Sequence, residues 1–258
     1  TSLSMADAVI AVSQGTKRDI LEHFDIDPDK ITVIYNGINV DQYHPTDETT
    51  ALEKYGVDPE RPIVLFVGRI TRQKGIVHLV NAVKYINRDA QVVLCAGAPD
   101  TKEVLAEMEA AVKHVRHDGF QNLIWIREMV TKEEAIELYS HATVFCCPSI
   151  YEPFGIINLE AMACRTAVVA SAVGGIKEVV VDGVTGFLVP LEQLHVAPFE
   201  PVHPDVFSRD LAAAINKVLD DPELADSMAA AGQKRAREVF SWPSIAQQTK
   251  RLYDSLVK

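Results

Sequence analysis

Short apolar runs recur along most of the chain, and longer stretches with helical periodicity separate them. The runs are rich in β-branched residues, as is typical of strands buried on both faces of a sheet. Alternating strands and helices favour βαβ units, so the pattern predicts an α/β fold in which helices cover both faces of a parallel sheet. The predicted strands are residues 63–67, 91–96, 123–126, 143–147, 167–171 and 186–190. The predicted helices are residues 75–87, 100–117, 131–141, 155–164, 205–220 and 222–239, with a last one after Ser241.

The first forty residues repeat this alternation on a smaller scale. Residues 6–13 predict a strand, residues 15–24 a helix and residues 30–38 a second strand. A strand-helix-strand piece cannot bury a core by itself. Since the chain also begins without Met, we expect this piece to belong to a domain whose remainder precedes Thr1.

Composition and charge narrow the range of partners. The chain has 258 residues and a formal net charge of -11, which argues against nucleic acid or an anionic membrane as the main partner. No apolar run is long enough for a transmembrane helix. The four cysteines form no CxxC pair and lie in apolar or helical runs, so we expect buried, reduced thiols and a cytoplasmic protein.

Ligands of parallel α/β sheets bind beyond the carboxyl ends of the strands, so the loops after each strand are the first places to look for chemistry. The loop after the first main strand contains Arg69, Arg72 and Lys74 behind Gly68. Arginine and lysine at such a position can neutralise a diphosphate. A solvated basic loop at the start of a helix would have the same composition.

The loop after the fourth main strand contains two carboxylates, Glu152 and Glu160, on either side of a predicted helix start. Gly155 would allow a ligand to approach the backbone closely, and the amides of residues 154–156 would form an anion site there. Acidic residues near a helix N-terminus also favour the helix dipole, which leaves a purely structural role open for Glu152. Glu160 lies in an apolar helix, where a carboxylate is less ordinary, and it could accept hydrogen bonds from both hydroxyls of a ribose.

A third loop, after the strand at 167–171, carries the pair Gly174-Gly175. Paired glycines suit a tight loop that faces the same cleft, and a simple turn is an equally good interpretation.

In combination, these motifs resemble a known group of enzymes. The motifs are G-R-x4-K-G at 68–75, E-P-F-G-x4-E at 152–160, G-G-x-x-E at 174–178 and G-x-T-G-F-L-V-P at 183–190. They resemble the retaining glycosyltransferases of the two-domain GT-B fold, whose E-x7-E motif matches residues 152–160. More narrowly, the chain is similar to the actinobacterial type of glycogen synthase. No GxGxxG motif follows a strand, which disfavours a dehydrogenase.

The resemblance implies a division into four parts and a Rossmann-like fold for the largest of them. Residues 1–45 would be the remnant of an N-terminal GT-B domain, and residues 46–61 a linker. Residues 62–240 would be the nucleotide-sugar-binding domain. Residues 241–258 would form a helix that packs back towards the N-terminal domain.

The resemblance also implies roles for the charged residues. Arg69 and Lys74 would neutralise the donor diphosphate and, with Glu152 at the transferred sugar, form the catalytic set. Glu160 would hold the ribose. Catalysis would need no metal ion or cofactor, because the cations would stabilise the departing diphosphate.

Further contacts to the donor would come from backbone and loop residues. The amides of Phe154, Gly155 and Ile156 would bind sugar hydroxyls and phosphate. The loop with Arg127, Glu128 and Met129 would surround the base.

The expected reaction is transfer of glucose from ADP-glucose or UDP-glucose to an α-1,4-glucan or to glucose 1-phosphate. A related retaining transferase with a lipid or sugar-phosphate acceptor is one alternative, and a nucleotide-binding module without turnover is another. Arg165 and Ala167 depart from the Gly and Pro usual at these positions, which puts the geometry of that turn in doubt.

Overall fold

A six-stranded, fully parallel sheet organises most of the chain. The computed structural model describes residues 2–257. The strands are β1 (Val9–Ala11), β2 (Ile31–Val33), β3 (Ile63–Arg69), β4 (Gln91–Gly97), β5 (Leu123–Ile126), β6 (Val144–Cys147), β7 (Ala167–Ser171) and β8 (Gly186–Val189). The large sheet has the order β5-β4-β3-β6-β7-β8, and β1 pairs with β2 in a separate parallel sheet. The predicted parallel sheet is confirmed, and its order reverses between β3 and β6, where an open α/β sheet offers a crevice for ligands.

Helices cover both faces of this sheet, as predicted. They are α1 (Ser2–Met5), α2 (Gln14–His23), α3 (Thr50–Tyr55), α4 (Ile76–Ala82), α5 (Lys102–His117), α6 (Lys132–His141), α7 (Ile156–Ala163), α8 (Ile176–Val179), α9 (Pro204–Leu219), α10 (Pro222–Val239) and α11 (Trp242–Leu256). Helices α4, α5 and α9 pack into one apolar core, and α3, α6, α7 and α8 pack into the other. Cys146 belongs to the first core and its neighbour Cys147 to the second, as the strand alternation requires.

Local capping fixes several helix starts. Thr131 caps α6 in a capping box with Glu134, and Asp221 accepts a hydrogen bond from the amide of Leu224 at the start of α10. The helix predicted at 75–87 is shorter than expected. Helix α4 ends at Ala82 and continues as a 3₁₀ turn over Val83–Tyr85, after which the backbone is extended at Ile86.

The first unit and the last helix meet. The backbone of Ile38 pairs with Ser241, and the Trp242 side chain lies directly against Gly37. Ser241 is the N-cap residue of α11, as predicted, although its side chain makes no capping hydrogen bond. The division at 1–45, 46–61, 62–240 and 241–258 stays a prediction.

All four cysteines are buried, and no disulfide joins them within residues 2–257. Burial raises the pKa of Cys95 and of Cys164 to about 12, so both remain thiols at neutral pH. No helix in this range is long and apolar enough to cross a membrane.

Candidate active site

Two loops meet at the point where the strand order reverses. The loop of residues 69–75 follows β3, and the loop of residues 148–155 follows β6. The amide of Ile150 donates to the carbonyl of Gln73 at 2.9 Å. Gly75 has a φ of +61°, and a side chain there would run into the carbonyl of Pro148. The first two predicted loops are therefore held side by side, and glycine is needed for that approach.

Lys74 and Glu152 form an ion pair across these loops. Lys74 Nζ lies 2.6 Å from Glu152 Oε2, and the two side chains expose only 19% and 10% of their surface. The Ser149 hydroxyl lies 3.5 Å from the same carboxylate oxygen. The pair places a cation and an anion of the predicted catalytic set next to each other at the floor of the crevice.

The third predicted loop supports the second. The amide of Gly175 donates to the carbonyl of Glu152 at 2.9 Å. Gly174 has a φ of +47°, and a side chain there would collide with the same carbonyl. The glycine pair thus allows close packing beneath Glu152, and the short helix α8, absent from the sequence prediction, begins directly after it.

Helix α7 begins at the crevice. Gly155 is its N-cap residue, with a φ of +96°. The amides of Phe154, Gly155 and Ile156 donate to no acceptor within residues 2–257, and they lie at the positive end of the helix dipole, where an anion would be stabilised. The Phe154 ring is buried and stacks on Tyr35 with a centroid distance of 5.8 Å, so the ring itself belongs to the core.

Two tyrosines hold Glu160, and neither of them lies in a recognisable sequence motif. The Tyr139 hydroxyl donates to Glu160 Oε2 at 3.1 Å, and Tyr43 also forms a hydrogen bond with this carboxylate. Burial raises the pKa of Glu160, and the hydrogen bonds from the tyrosines oppose that shift. The carboxylate is therefore fixed in orientation at some cost in desolvation.

The remaining predicted residues lie at the same edge of the sheet but apart from the Lys74–Glu152 pair. Arg69 forms an exposed ion pair with Asp100, at 3.0 Å. Arg127 lies over the Trp125 ring, with its guanidinium carbon 4.0 Å from the ring centroid, and pairs with Glu109 at 2.9 Å. Met129 is almost fully exposed.

The segment at 191–204, predicted as an irregular loop, is fastened to both site loops. Gln193 pairs with Pro201 across its base, and the Gln193 amide donates to the carbonyl of Ile150 at 2.6 Å. Glu200 accepts from Arg72 at 3.3 Å and lies 3.2 Å from His78 Nε2. We call residues 193–201 the hairpin below.

Another missed contact joins the site to the first unit. The Glu178 carboxylate accepts from the amides of Gln14, at 2.9 Å, and Gly15, at 3.2 Å, and the Ser13 hydroxyl donates to the carbonyl of Pro153. Among residues 2–257, no group of three or more His, Cys, Asp or Glu side chains is arranged to hold a metal ion.

Two family models and several known proteins match this chain. Residues 47–195 match the family described as Glycosyl transferases group 1, and residues 1–42 match the family described as Glycosyltransferase Family 4. The chain is 46% identical over 257 residues to alpha-maltose-1-phosphate synthase of Mycolicibacterium smegmatis, a match that covers 98% of this chain and 64% of that protein.

Two further matches are more distant. D-inositol 3-phosphate glycosyltransferase of Corynebacterium aurimucosum is 33% identical over 262 residues, with 96% of this chain and 56% of that protein covered. The structure of sucrose-phosphate synthase from Thermosynechococcus elongatus superposes with a TM-score of 0.78 at 31% identity, over 98% of this chain and 59% of that one. The chain thus spans less than two thirds of the length of each of these proteins.

Proposed function

We propose that the complete protein transfers glucose from ADP-glucose or UDP-glucose to an acceptor with retention of configuration, because this chain belongs to the Glycosyl transferases group 1 family. The acceptor is glucose 1-phosphate or the end of an α-1,4-glucan. The Lys74–Glu152 pair at the floor of the crevice carries this proposal, since it puts a diphosphate-binding cation beside a carboxylate suited to sugar hydroxyls.

The proposed chemistry follows from the charges around this pair. The bond between the glucose anomeric carbon and the diphosphate breaks, and negative charge builds up on the departing diphosphate. Lys74, Arg69 and the amides of residues 154–156 stabilise that charge. An acceptor hydroxyl forms the new bond to the anomeric carbon, and its proton leaves with the diphosphate.

The remaining site residues bind the donor. Glu152 orients the transferred sugar through its hydroxyls. Glu160, held by Tyr43 and Tyr139, binds the ribose hydroxyls. Arg127 and Met129 lie at the opening where the base would enter. The Arg127 guanidinium is already paired with Glu109, which favours contacts to the base through the backbone of that loop.

The names of the relatives support an acceptor that carries phosphate. The name of alpha-maltose-1-phosphate synthase gives its product as maltose 1-phosphate. Transfer of glucose to glucose 1-phosphate would form that product. The inositol-phosphate relative supports a second candidate, in which the acceptor is another phosphorylated polyol. Since the relatives are longer than this chain, we propose that residues outside it supply the other wall of the crevice, and that residues 1–258 alone bind nucleotide without turnover.

A donor and acceptor panel tests the proposal. The complete protein is incubated with ADP-glucose or UDP-glucose and with glucose 1-phosphate, maltotriose, inositol phosphate or a lipid acceptor, and products are identified by mass and by the NMR coupling of the anomeric proton. We expect an α-linked glucose on glucose 1-phosphate or maltotriose, and severe loss of turnover in the Lys74→Met variant. Transfer to the lipid alone, a β-linked product, or full turnover in Lys74→Met would contradict the proposal.

A further inference from the structure

A second cavity adjoins the Lys74–Glu152 pair and is not used by the donor contacts described above. Its volume is about 610 Å³, which lies in the usual range of small-molecule sites. Helix α2, the loop at 150–153 and the hairpin form its walls, and Glu152 lies where the cavity meets the donor crevice. A molecule in this cavity would therefore lie beside the sugar that Glu152 is proposed to orient.

The walls of this cavity are fixed by contacts to the rest of the domain. The hairpin is attached through Gln193 to Ile150 and through Glu200 to Arg72 and His78. On the other side, the start of α2 is attached through its backbone amides to Glu178. The cavity is thus formed before any ligand arrives, which lowers the entropic cost of binding.

The charged groups around the cavity do not suit an anion. Asp19 and Glu22 line it on α2, and Glu152 adds a third carboxylate, whereas Arg18 is the one guanidinium and His23 and His195 add two imidazoles. Lys74 is not among the residues that line the cavity, and it is already paired with Glu152. A phosphate in the cavity would meet net repulsion, whereas carboxylates accept hydrogen bonds well from neutral hydroxyl groups.

Two aromatic rings complete the lining. Tyr151 and Phe199 are 43% and 40% exposed, and both border the cavity. The Tyr151 hydroxyl donates to Asp19 Oδ2 at 3.3 Å, which holds that ring and that carboxylate together. A hexose has an apolar face of C–H groups and a rim of hydroxyl groups that donate hydrogen bonds. The exposed rings can pack against the first, and the neighbouring carboxylates can accept from the second.

We propose that this cavity binds the uncharged terminal hexose of the acceptor, with Asp19 and Glu22 accepting from its hydroxyls and with Tyr151 and Phe199 against its carbon skeleton. This inference rests on the proposed glycosyltransferase function. It places the receiving hydroxyl at Glu152 and directs any phosphate of the acceptor away from the cavity, towards solvent or towards residues outside this chain.

Equilibrium titration of the complete protein tests the inference. The probes are maltotriose and glucose 1-phosphate, each titrated alone and in the presence of excess ADP or excess UDP, because both offer the uncharged C4-hydroxyl end of a glucose. We expect Asp19→Asn and Phe199→Ala to weaken binding of the probe by about tenfold or more. Phe24→Ala should bind as the wild type does, since Phe24 is 44% exposed at the end of α2 but lies outside the cavity.

The outcomes separate this inference from the proposed function. If neither probe binds the wild type, or if both cavity variants bind within twofold of it, the inference is wrong even when nucleotide binding is normal. If the probes bind and the cavity variants lose them while neither nucleotide binds, the donor assignment fails and the cavity assignment stands. Nucleotide affinity and the midpoint of thermal unfolding are measured for each variant. If Phe199→Ala disturbs the hairpin, Asp19→Asn, which lies on α2, still tests the cavity.

Discussion

Lys74 Nζ lies 2.6 Å from Glu152 Oε2, although 78 positions separate the two residues in the chain. The contact exists because the loops after β3 and β6 emerge side by side where the strand order reverses. Each side chain is mostly shielded from water, so each charge is stabilised mainly by the opposite charge of its partner. Binding of the donor would use the same two groups in adjacent positions, one at the diphosphate and the other at the sugar.

The first prediction concerns the stability of this pair. Lys74→Met should lower the free energy of unfolding by about 3 kcal/mol, because it leaves the Glu152 carboxylate shielded and unpaired. The double variant Lys74→Met/Glu152→Gln should recover much of that loss, since both charges are then absent. Urea denaturation of the wild type and the two variants measures the difference. Equal stability of the single and double variants would show that the pair is not coupled as described.

The second prediction concerns Gly174. Gly174→Ala should destabilise the protein by about 3 kcal/mol, because the new methyl group would meet the Glu152 carbonyl and the backbone has a positive φ. Gly183→Ala is the matched control: its φ is +71°, but a methyl group there meets nothing within 4 Å, so we expect a loss of about 1 kcal/mol. Thermal unfolding compares the two, and similar losses would remove the case for close packing beneath Glu152.

The third prediction uses the pKa of Glu160, which burial raises above its ordinary value of 4.5. The folded protein then holds this proton more tightly than the unfolded chain, so the contribution of the group to stability falls as the pH rises through the raised pKa. Glu160→Gln should therefore be more stable than the wild type at pH 7, and the difference should vanish below pH 4.5.

Stability measured against pH tests this sign, with Glu238→Gln on the exposed face of α10 as the control. The same Glu160→Gln variant should bind ADP and UDP more weakly, because an amide accepts hydrogen bonds from ribose hydroxyls less well than a carboxylate does. A variant that is less stable at pH 7, or that binds both nucleotides normally, would contradict the role given to Glu160.

The fourth prediction concerns Arg165, where the chain departs from the usual glycine. Arg165 has a φ of +62°, and its guanidinium forms an exposed pair with Asp226 at 2.7 Å. Arg165→Gly should be more stable than Arg165→Ala by about 1–2 kcal/mol, since both lose the pair but only glycine relieves the left-handed backbone. Chemical denaturation of the two variants gives this difference directly, and equal stabilities would mean that the turn is unstrained.

Much of this architecture follows from local sequence features. Uninterrupted apolar runs marked every strand of the large sheet, and the parallel arrangement followed from the alternation with helices. Since the carboxyl ends of parallel strands share one edge, the loops with Lys74, Glu152 and Gly174 could be expected near each other. The turn at Arg165 was doubtful from sequence, and the structure places it in the left-handed region that glycine normally occupies.

What the sequence could not predict depends on contacts between distant segments. Tyr43 and Tyr139 carry no motif, and only the packing of the segment around Tyr43 and of α6 against α7 brings them to Glu160. The hairpin has no strand periodicity, and its position depends on hydrogen bonds and ion pairs, including those of Glu200. Side chains of this kind support or border a site and are recognisable only in three dimensions.

The proposed function requires that the crevice between β3 and β6 hold a nucleoside diphosphate at Lys74. Calorimetric titration of ADP and of UDP into the complete protein tests it most directly, with Lys74→Met as the variant and Lys84→Met, an exposed lysine after α4, as the matched control. Circular dichroism confirms that each variant is folded. We predict that at least one nucleotide binds the wild type and the Lys84 variant equally and binds Lys74→Met at least about tenfold more weakly. Absence of binding by the wild type, or equal binding by Lys74→Met, would contradict the claim.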